Sequence, residues 1–165
     1  MFSLFKKSEE ISNIKVSDDD IIAPQNGELI DITKVSDPVF AQKMMGESTA
    51  FRFKGNGVAI CSPANGQLTV MFPTGHAFGI TMNNGVELLI HIGIDTVKAK
   101  GNGFKILKKQ GDVVQAGDAV VEVDFDKLSK TYDMSTMMIV TNKNDKEITF
   151  IKPQTVVRGQ SVVNA

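Results

Sequence analysis

The dipeptide Asn-Gly recurs five times, at Asn26-Gly27, Asn56-Gly57, Asn65-Gly66, Asn84-Gly85 and Asn102-Gly103. Both residue types tolerate positive φ, so each pair favours a tight reversal, and reversals at this spacing leave no room for long helices. The stretches between them are β-rich: Gly27 to Ile32, Gly57 to Cys61, Leu68 to Phe72, Ala77 to Met82, Val86 to Ile94, Ala119 to Asp124 and Met137 to Thr141. The predicted class is all-β, an antiparallel β-sandwich or barrel with a few short helical turns. Asp37-Pro38 reads as an N-cap and first-turn pair opening Val39 to Met45, and Asp126 to Tyr132 as another turn or two.

Two internal echoes sharpen this picture. Ile22-Ala23-Pro24-Gln25-Asn26-Gly27-Glu28-Leu29 resembles Cys61-Ser62-Pro63-Ala64-Asn65-Gly66-Gln67-Leu68, and Val113 to Val120 resembles Thr155 to Val162. Both pairs place a turn before a β-prone run. The spacings are too irregular for a solenoid and suggest related halves, although shared turn chemistry alone also produces such echoes.

A chain of 165 residues makes one domain and buries roughly two thirds of the surface its unfolded form exposes. Its net charge of -1 lacks the basic footprint of a nucleic-acid binder. The lone Cys61 cannot pair within the chain and suits a reducing compartment, so the expected location is the cytoplasm. No apolar run approaches the ~20 residues of a membrane helix, and no signal-peptide pattern is present. Residues 1–20 carry Phe2, Leu4, Phe5, Lys6-Lys7 and the acidic run Asp18-Asp19-Asp20. They read as a flexible tail capable of weak contact with a membrane surface, ahead of a globular domain at 21–165.

Only two histidines occur. With a strand's period of two, Val86, Leu88, Ile90, Ile92 and Ile94 share one face, while Glu87, Leu89, His91, Gly93 and Asp95 share the other. The core takes the first face, so His91 points away from it, with a glycine and then a carboxylate next along its own face. His76 shares parity with Phe78 and Ile80 and by pattern alone reads as a buried core histidine. Two imidazoles, with Thr74 and Asp95 near them in sequence, admit three uses: phosphoryl carriage on a nucleophilic ring nitrogen, a His-His-Asp metal site, or acid-base catalysis. In the first, Asp95 is a candidate to fix the ring tautomer.

The run Glu87-Leu88-Leu89-Ile90-His91-Ile92-Gly93-Ile94-Asp95-Thr96-Val97, followed by Lys100-Gly101-Asn102-Gly103-Phe104, resembles the active-site signature of the glucose-class IIA proteins of the bacterial phosphoenolpyruvate:sugar phosphotransferase system. Ile22-Ala23-Pro24 with Gly27-Glu28, Asp37-Pro38-Val39-Phe40-Ala41-Gln42-Lys43-Met44-Met45-Gly46, Pro63 with Gly66, Phe72-Pro73-Thr74 leading to His76-Ala77, and Gly117-Asp118 match in the same order. The likeness spans Ile21 to Val157.

This resemblance implies that His91 accepts phosphate on Nε2 from the phosphocarrier HPr and donates it to a cysteine of a sugar-specific IIB domain. His76 matches the companion imidazole that binds the phosphate, Thr74 the hydroxyl paired with it, and Asp95 the nearby carboxylate. Phe40, Met44, Met45, Phe72, Leu89 and Val97 match an apolar rim on which HPr and IIB dock in turn. The implied fold is an antiparallel β-sandwich with a duplicated, biotinyl-carrier-like motif. No cofactor is implied, although zinc held by His76, His91 and a partner's carboxylate belongs to the family's repertoire, as do regulatory target proteins.

Gly75, Gly79, Ile92 and the segment Ser135 to Val140 depart from the family's usual residues, which bears on partner choice and sugar specificity rather than on the reaction. Ending at Ala165 without a IIB or IIC segment, the chain reads as a free-standing IIA, with a domain cut from a fused transporter as the alternative. Biotinyl and lipoyl carriers need a Met-Lys pair on a hairpin, and related zinc peptidases need His-x-His; neither motif occurs. The competing function is a phosphorylation-dependent regulatory binding protein with little transport role.

Overall fold

The computed structural model describes residues 14–164. Eleven strands follow in chain order: β1 Gly27–Ile30, β2 Glu47–Arg52, β3 Val58–Cys61, β4 Gly66–Met71, β5 Ala77–Met82, β6 Glu87–Ile92, β7 Phe104–Ile106, β8 Val113–Val114, β9 Ala119–Val123, β10 Thr136–Asn142 and β11 Gln154–Val156. Two short helices interrupt them, α1 Pro38–Ala41 and α2 Phe125–Leu128, with 3-10 turns at Ile32–Lys34 and Thr96–Ala99. All pairing is antiparallel, in an eight-stranded sheet ordered β11-β1-β2-β10-β6-β5-β4-β8 and a three-stranded sheet ordered β3-β9-β7. No helix among the described residues is long and apolar enough to cross a membrane.

The main core joins both sheets through fully buried Phe51, Leu68, Phe78, Ile80, Leu88, Ile90, Val121 and Phe125. Each large side chain so buried contributes about 1.5–3 kcal/mol. A second cluster, Ile32, Val35, Phe40, Ala50, Ile94, Met137 and Ile139 with Leu89 against it, lies apart from the first. Ile94 belongs to this second cluster and not to the face of Leu88 and Ile90. The strand ends at Ile92 and the chain turns through φ +80 at Gly93, so the period-two rule stops two residues short of it. Asp37 caps α1 as the sequence predicts, accepting from the Val39 amide, but α1 closes at Ala41 and continues as turns to Met45.

Both echoes are structural equivalents. The Ala23 amide donates to the Gln160 carbonyl at 2.8 Å, and the Ser62 amide donates to the Asp118 carbonyl at 2.7 Å. In return Gly159 donates to Ala23 and Gly117 to Ser62, while Ile22 donates to Pro63 and Cys61 to Pro24. Even the side chains repeat: Asn26 accepts from the Arg158 amide, and Asn65 accepts from the Ala116 amide. Two copies of one clasp therefore interlock about a pseudo-twofold axis, as expected of a duplicated motif.

Residues 14–20, expected to belong to a flexible tail, pack against this clasp. Ile14 lies against Gly117 and Gly159, equivalent glycines of the two echoes, where an added Cβ would come within 2.9 and 3.2 Å of its side chain. Asp18 accepts from the Asn65 and Asn83 side-chain amides, Asp19 from that of Asn84, and Asp20 from the Ser161 hydroxyl. Asp18 and Asp19 are thus held by donors at the Asn-Gly turns, which a charge count does not reveal. The expected membrane contact of Phe2 to Lys7 lies outside the described residues.

Candidate functional site

In β6 burial alternates, with Leu88, Ile90 and Ile92 inside and Leu89 and His91 half-buried, so His91 leaves the main core as predicted. Register places it between Ala77 of β5 and Met137 of β10, near the middle of the large sheet. His76 stands one residue before β5 and is only 4% exposed, but its ring meets that of His91, with centroids 5.2 Å apart and planes at 82°. Strand parity is no guide there, because the turn Phe72 to Gly75, closed by the Gly75 amide on the Phe72 carbonyl and passing through φ +78, delivers His76 from outside the strand.

Each imidazole is held through Nδ1. His91 Nδ1 lies 2.8 Å from the Gly93 carbonyl, an oxygen that can only accept, so Nδ1 carries the proton and Nε2 of the neutral ring keeps its lone pair. His76 Nδ1 meets the Thr74 hydroxyl at 2.5 Å. The anchor of His91 is thus a backbone carbonyl and not Asp95. That residue is exposed in a left-handed conformation at φ +61, and its side chain makes no capping bond to the 3-10 turn that follows. Asp95 acts on His91 at longer range, together with Asp37: both charges favour the protonated ring.

Burial lowers the pKa of both histidines. For His76 desolvation is the larger cause and the charge of His91 the smaller; for His91 desolvation outweighs the Gly93 carbonyl, Asp37 and Asp95, which push upward. NMR titration should place both midpoints below the ordinary 6.5. Between the lowered values and 6.5 the unfolded chain binds more protons than the folded one, so stability rises with pH there. The contribution is fully present above pH 6.5 and is lost as pH falls through the lowered values. An unfolding midpoint in urea that increases from pH 7 to pH 5 would contradict this.

Aromatic side chains stand against both rings. Phe40 of α1 packs on His91, with centroids 5.0 Å apart, and Phe72 meets the His76 ring edge-on at 5.2 Å. Leu89 shares the face of His91 and is half-buried against the Phe40 cluster. Met44, Met45 and Val97 are exposed, Met44 at 69% and Val97 at 52%. Val39, next to Phe40 in α1, is 43% exposed as well, and no periodicity in Pro38-Val39-Phe40 marks it in the sequence. The Gly93 carbonyl was also missed; its only trace in the sequence is a glycine two residues after the histidine.

Among the described residues no three His, Cys, Asp or Glu side chains converge to hold a metal, so the His-His-Asp alternative fails. Cys61 is fully buried and burial pushes its thiol up to about 11, which removes it as a nucleophile. What remains is a neutral, half-covered imidazole with a free Nε2, a second imidazole against it, and Phe40 and Phe72 packed on the two rings.

Comparison with known proteins points the same way. The family model described as "phosphoenolpyruvate-dependent sugar phosphotransferase system, EIIA 1" matches residues 19–146. A PTS system glucose-specific EIIA component of Staphylococcus epidermidis is 39% identical over 163 residues, covering 97% of this chain and 94% of the relative. A glucose-specific EIICBA component of Staphylococcus saprophyticus is 38% identical over 160 residues, covering 96% of this chain but 23% of that longer protein. The solved structure of glucose permease IIA from Mycoplasma capricolum superposes with a TM-score of 0.81 at 38% identity, over 87% of this chain and 93% of that one.

Proposed function

We propose that this chain, which belongs to the EIIA 1 family of the phosphoenolpyruvate-dependent sugar phosphotransferase system, carries its phosphoryl group on Nε2 of His91. The observation that supports this most is the 2.8 Å contact between His91 Nδ1 and the Gly93 carbonyl, which selects the tautomer that leaves the lone pair on Nε2. Nε2 attacks the phosphorus of phosphorylated HPr; the new N–P bond forms as the donor's P–N bond breaks. The ring then holds positive charge, which the Gly93 carbonyl, Asp37 and Asp95 offset. A cysteine thiolate of a IIB domain takes the group next, breaking the N–P bond and returning His91 to neutral. Nothing is oxidised or reduced.

His76 is the electrophilic partner. With the Thr74 hydroxyl donating to its Nδ1, Nε2–H is left to donate to a phosphoryl oxygen. The apolar side chains at the site exclude water from a labile phosphohistidine and give two partners in turn a shallow docking surface, where a modest interface lets each leave. Phosphorylation adds roughly two negative charges close to Asp37 and Asp95, a repulsion that favours handing the group on. On this reading the chain works in the cytoplasm, where it would meet HPr and a IIB domain.

The test is labelling from phosphoenolpyruvate with enzyme I and HPr. An acid-labile, base-stable label on His91 is expected. A chain that stays unlabelled under conditions that phosphorylate HPr overturns the reading.

A further inference from the structure

The Gly93 carbonyl that orients His91 is one end of a single peptide group. Its other end, the Ile94 N–H, donates to the Asp133 carbonyl at 2.8 Å, and the preceding Gly93 amide donates to the Ser135 carbonyl at 3.0 Å. The peptide that fixes the tautomer is therefore clamped by the segment Asp133 to Ser135, just ahead of β10. That segment is folded by its own acid: Asp133 Oδ1 accepts from the Ser135 amide at 2.9 Å and from the Ser135 hydroxyl at 2.7 Å. Oδ2 accepts from the Ser36 hydroxyl at 2.9 Å, across 97 residues of sequence. Ser36 directly precedes Asp37, the cap of α1, and α1 sets Phe40 against His91.

We propose that Asp133 is a positioning residue for His91, its carboxylate fixing the 133–135 segment that clamps the peptides on both sides of the Gly93 α-carbon and holding through Ser36 the helix that packs on the ring. This deepens the carrier reading and rests on it. The polarity of the chain is consistent throughout. An ionised acceptor organises the 133–135 carbonyls, that of Asp133 polarises the Gly93–Ile94 peptide, and that peptide's oxygen binds the imidazole N–H, each bond strengthening the next. Burial alone would raise the Asp133 carboxyl, but the hydrogen bonds from Ser135 and Ser36, with the charge of Arg52, hold it below the usual range, so it remains an acceptor at neutral pH. Nothing in the active-site run around His91 points to position 133, which lies far downstream in the sequence.

The experiment compares Asp133→Ala with Asp133→Asn in the full chain, reading the ring nitrogens of His91 by 15N NMR and the rate of phosphoryl uptake from phosphorylated HPr. The alanine should mix the two tautomers and slow uptake by about 10- to 100-fold, the range for a displaced reacting group. Asparagine keeps an acceptor for Ser135 and should restore the Nδ1–H tautomer and most of the rate. An alanine variant with the wild-type tautomer and rate overturns the proposal, as does an asparagine variant that fails as badly as alanine. If Asp133→Ala does not fold, Ser36→Ala isolates the second arm: the His91 ring-proton shifts imposed by Phe40 should move and uptake fall by about 3-fold, the worth of one hydrogen bond. Unchanged shifts and rate overturn the proposal there. The tautomer reading needs no phosphoryl donor, so a wild-type chain that cannot be labelled sinks the carrier reading without deciding this one.

Discussion

Glutamine in place of His91 should bring phosphoryl uptake from phosphorylated HPr down to background, while the same change at His76 should leave uptake near normal and cripple delivery. The contrast follows from which nitrogen each ring exposes. His91 spends Nδ1 on the Gly93 carbonyl and offers a lone pair on Nε2; an amide nitrogen has no comparable nucleophilicity, so no residual pathway exists. His76 has Nδ1 against the Thr74 hydroxyl and lies ring to ring with His91, where it can donate to the phosphoryl group without bonding to phosphorus. Losing one such donor in a dry site costs about 10²- to 10³-fold in rate, which should appear in transfer to IIB. Single-turnover quench experiments on both variants, with gel-resolved label, separate the two steps. Normal uptake by His91→Gln, or equal failure of both variants, would reverse the assignment of roles.

Gly93→Val should damage stability and phosphoryl uptake together. Gly93 sits at φ +80, where a β-branched side chain is a genuine outlier, and a Cβ there would come within 2.4 Å of Thr96 Cγ2 and 2.9 Å of Met134 Sδ. Neither neighbour is free to withdraw: Thr96 is fully buried with its hydroxyl on the Ile92 carbonyl, and Met134 is buried in the main core. Backbone strain and overpacking together should cost about 3 kcal/mol, or roughly 6–12 °C in Tm for a domain of this size. Whatever remains folded should also lose uptake, because relieving the clash moves the carbonyl that selects the His91 tautomer. Calorimetry on Gly93→Val beside Gly79→Ala provides the comparison. An added Cβ at Gly79 meets Val70 only at 3.4 Å, ordinary contact, and that variant should stay near wild type.

Much of this was legible in the sequence because the turn residues and the strand period agree. The Asn-Gly pairs and the alternation through Leu88 to Ile92 led to the antiparallel sandwich and to an outward-facing His91, both of which the structure shows. The sequence does not mark strand β2, because Ser48 and Thr49 are buried alongside Ala50 and Phe51, leaving neither alternation nor apolar content as a signal. Short pairings such as β7, β8 and β11 depend on partners distant in sequence and leave no local period. At the site, the residue types were readable and their contacts were not. Asp95 is the nearest acid in sequence, but the contact to Nδ1 is made by a main-chain oxygen, and Asp133 acts from the other end of a peptide group.

The interlocked clasp lies at the Gly66 and Val86 ends of β4 and β6, while the imidazoles lie at their Phe72 and His91 ends. Strands of six residues separate the two by roughly 20 Å. Both the segment from Ile14 to Ile21 and the one following β11 are gathered at the clasp, on the side away from the two imidazoles. Such a unit is indifferent to its company. Relatives of two lengths contain it, one matched over 94% of its own chain and one over 23%, and both align with this chain along nearly all of its residues.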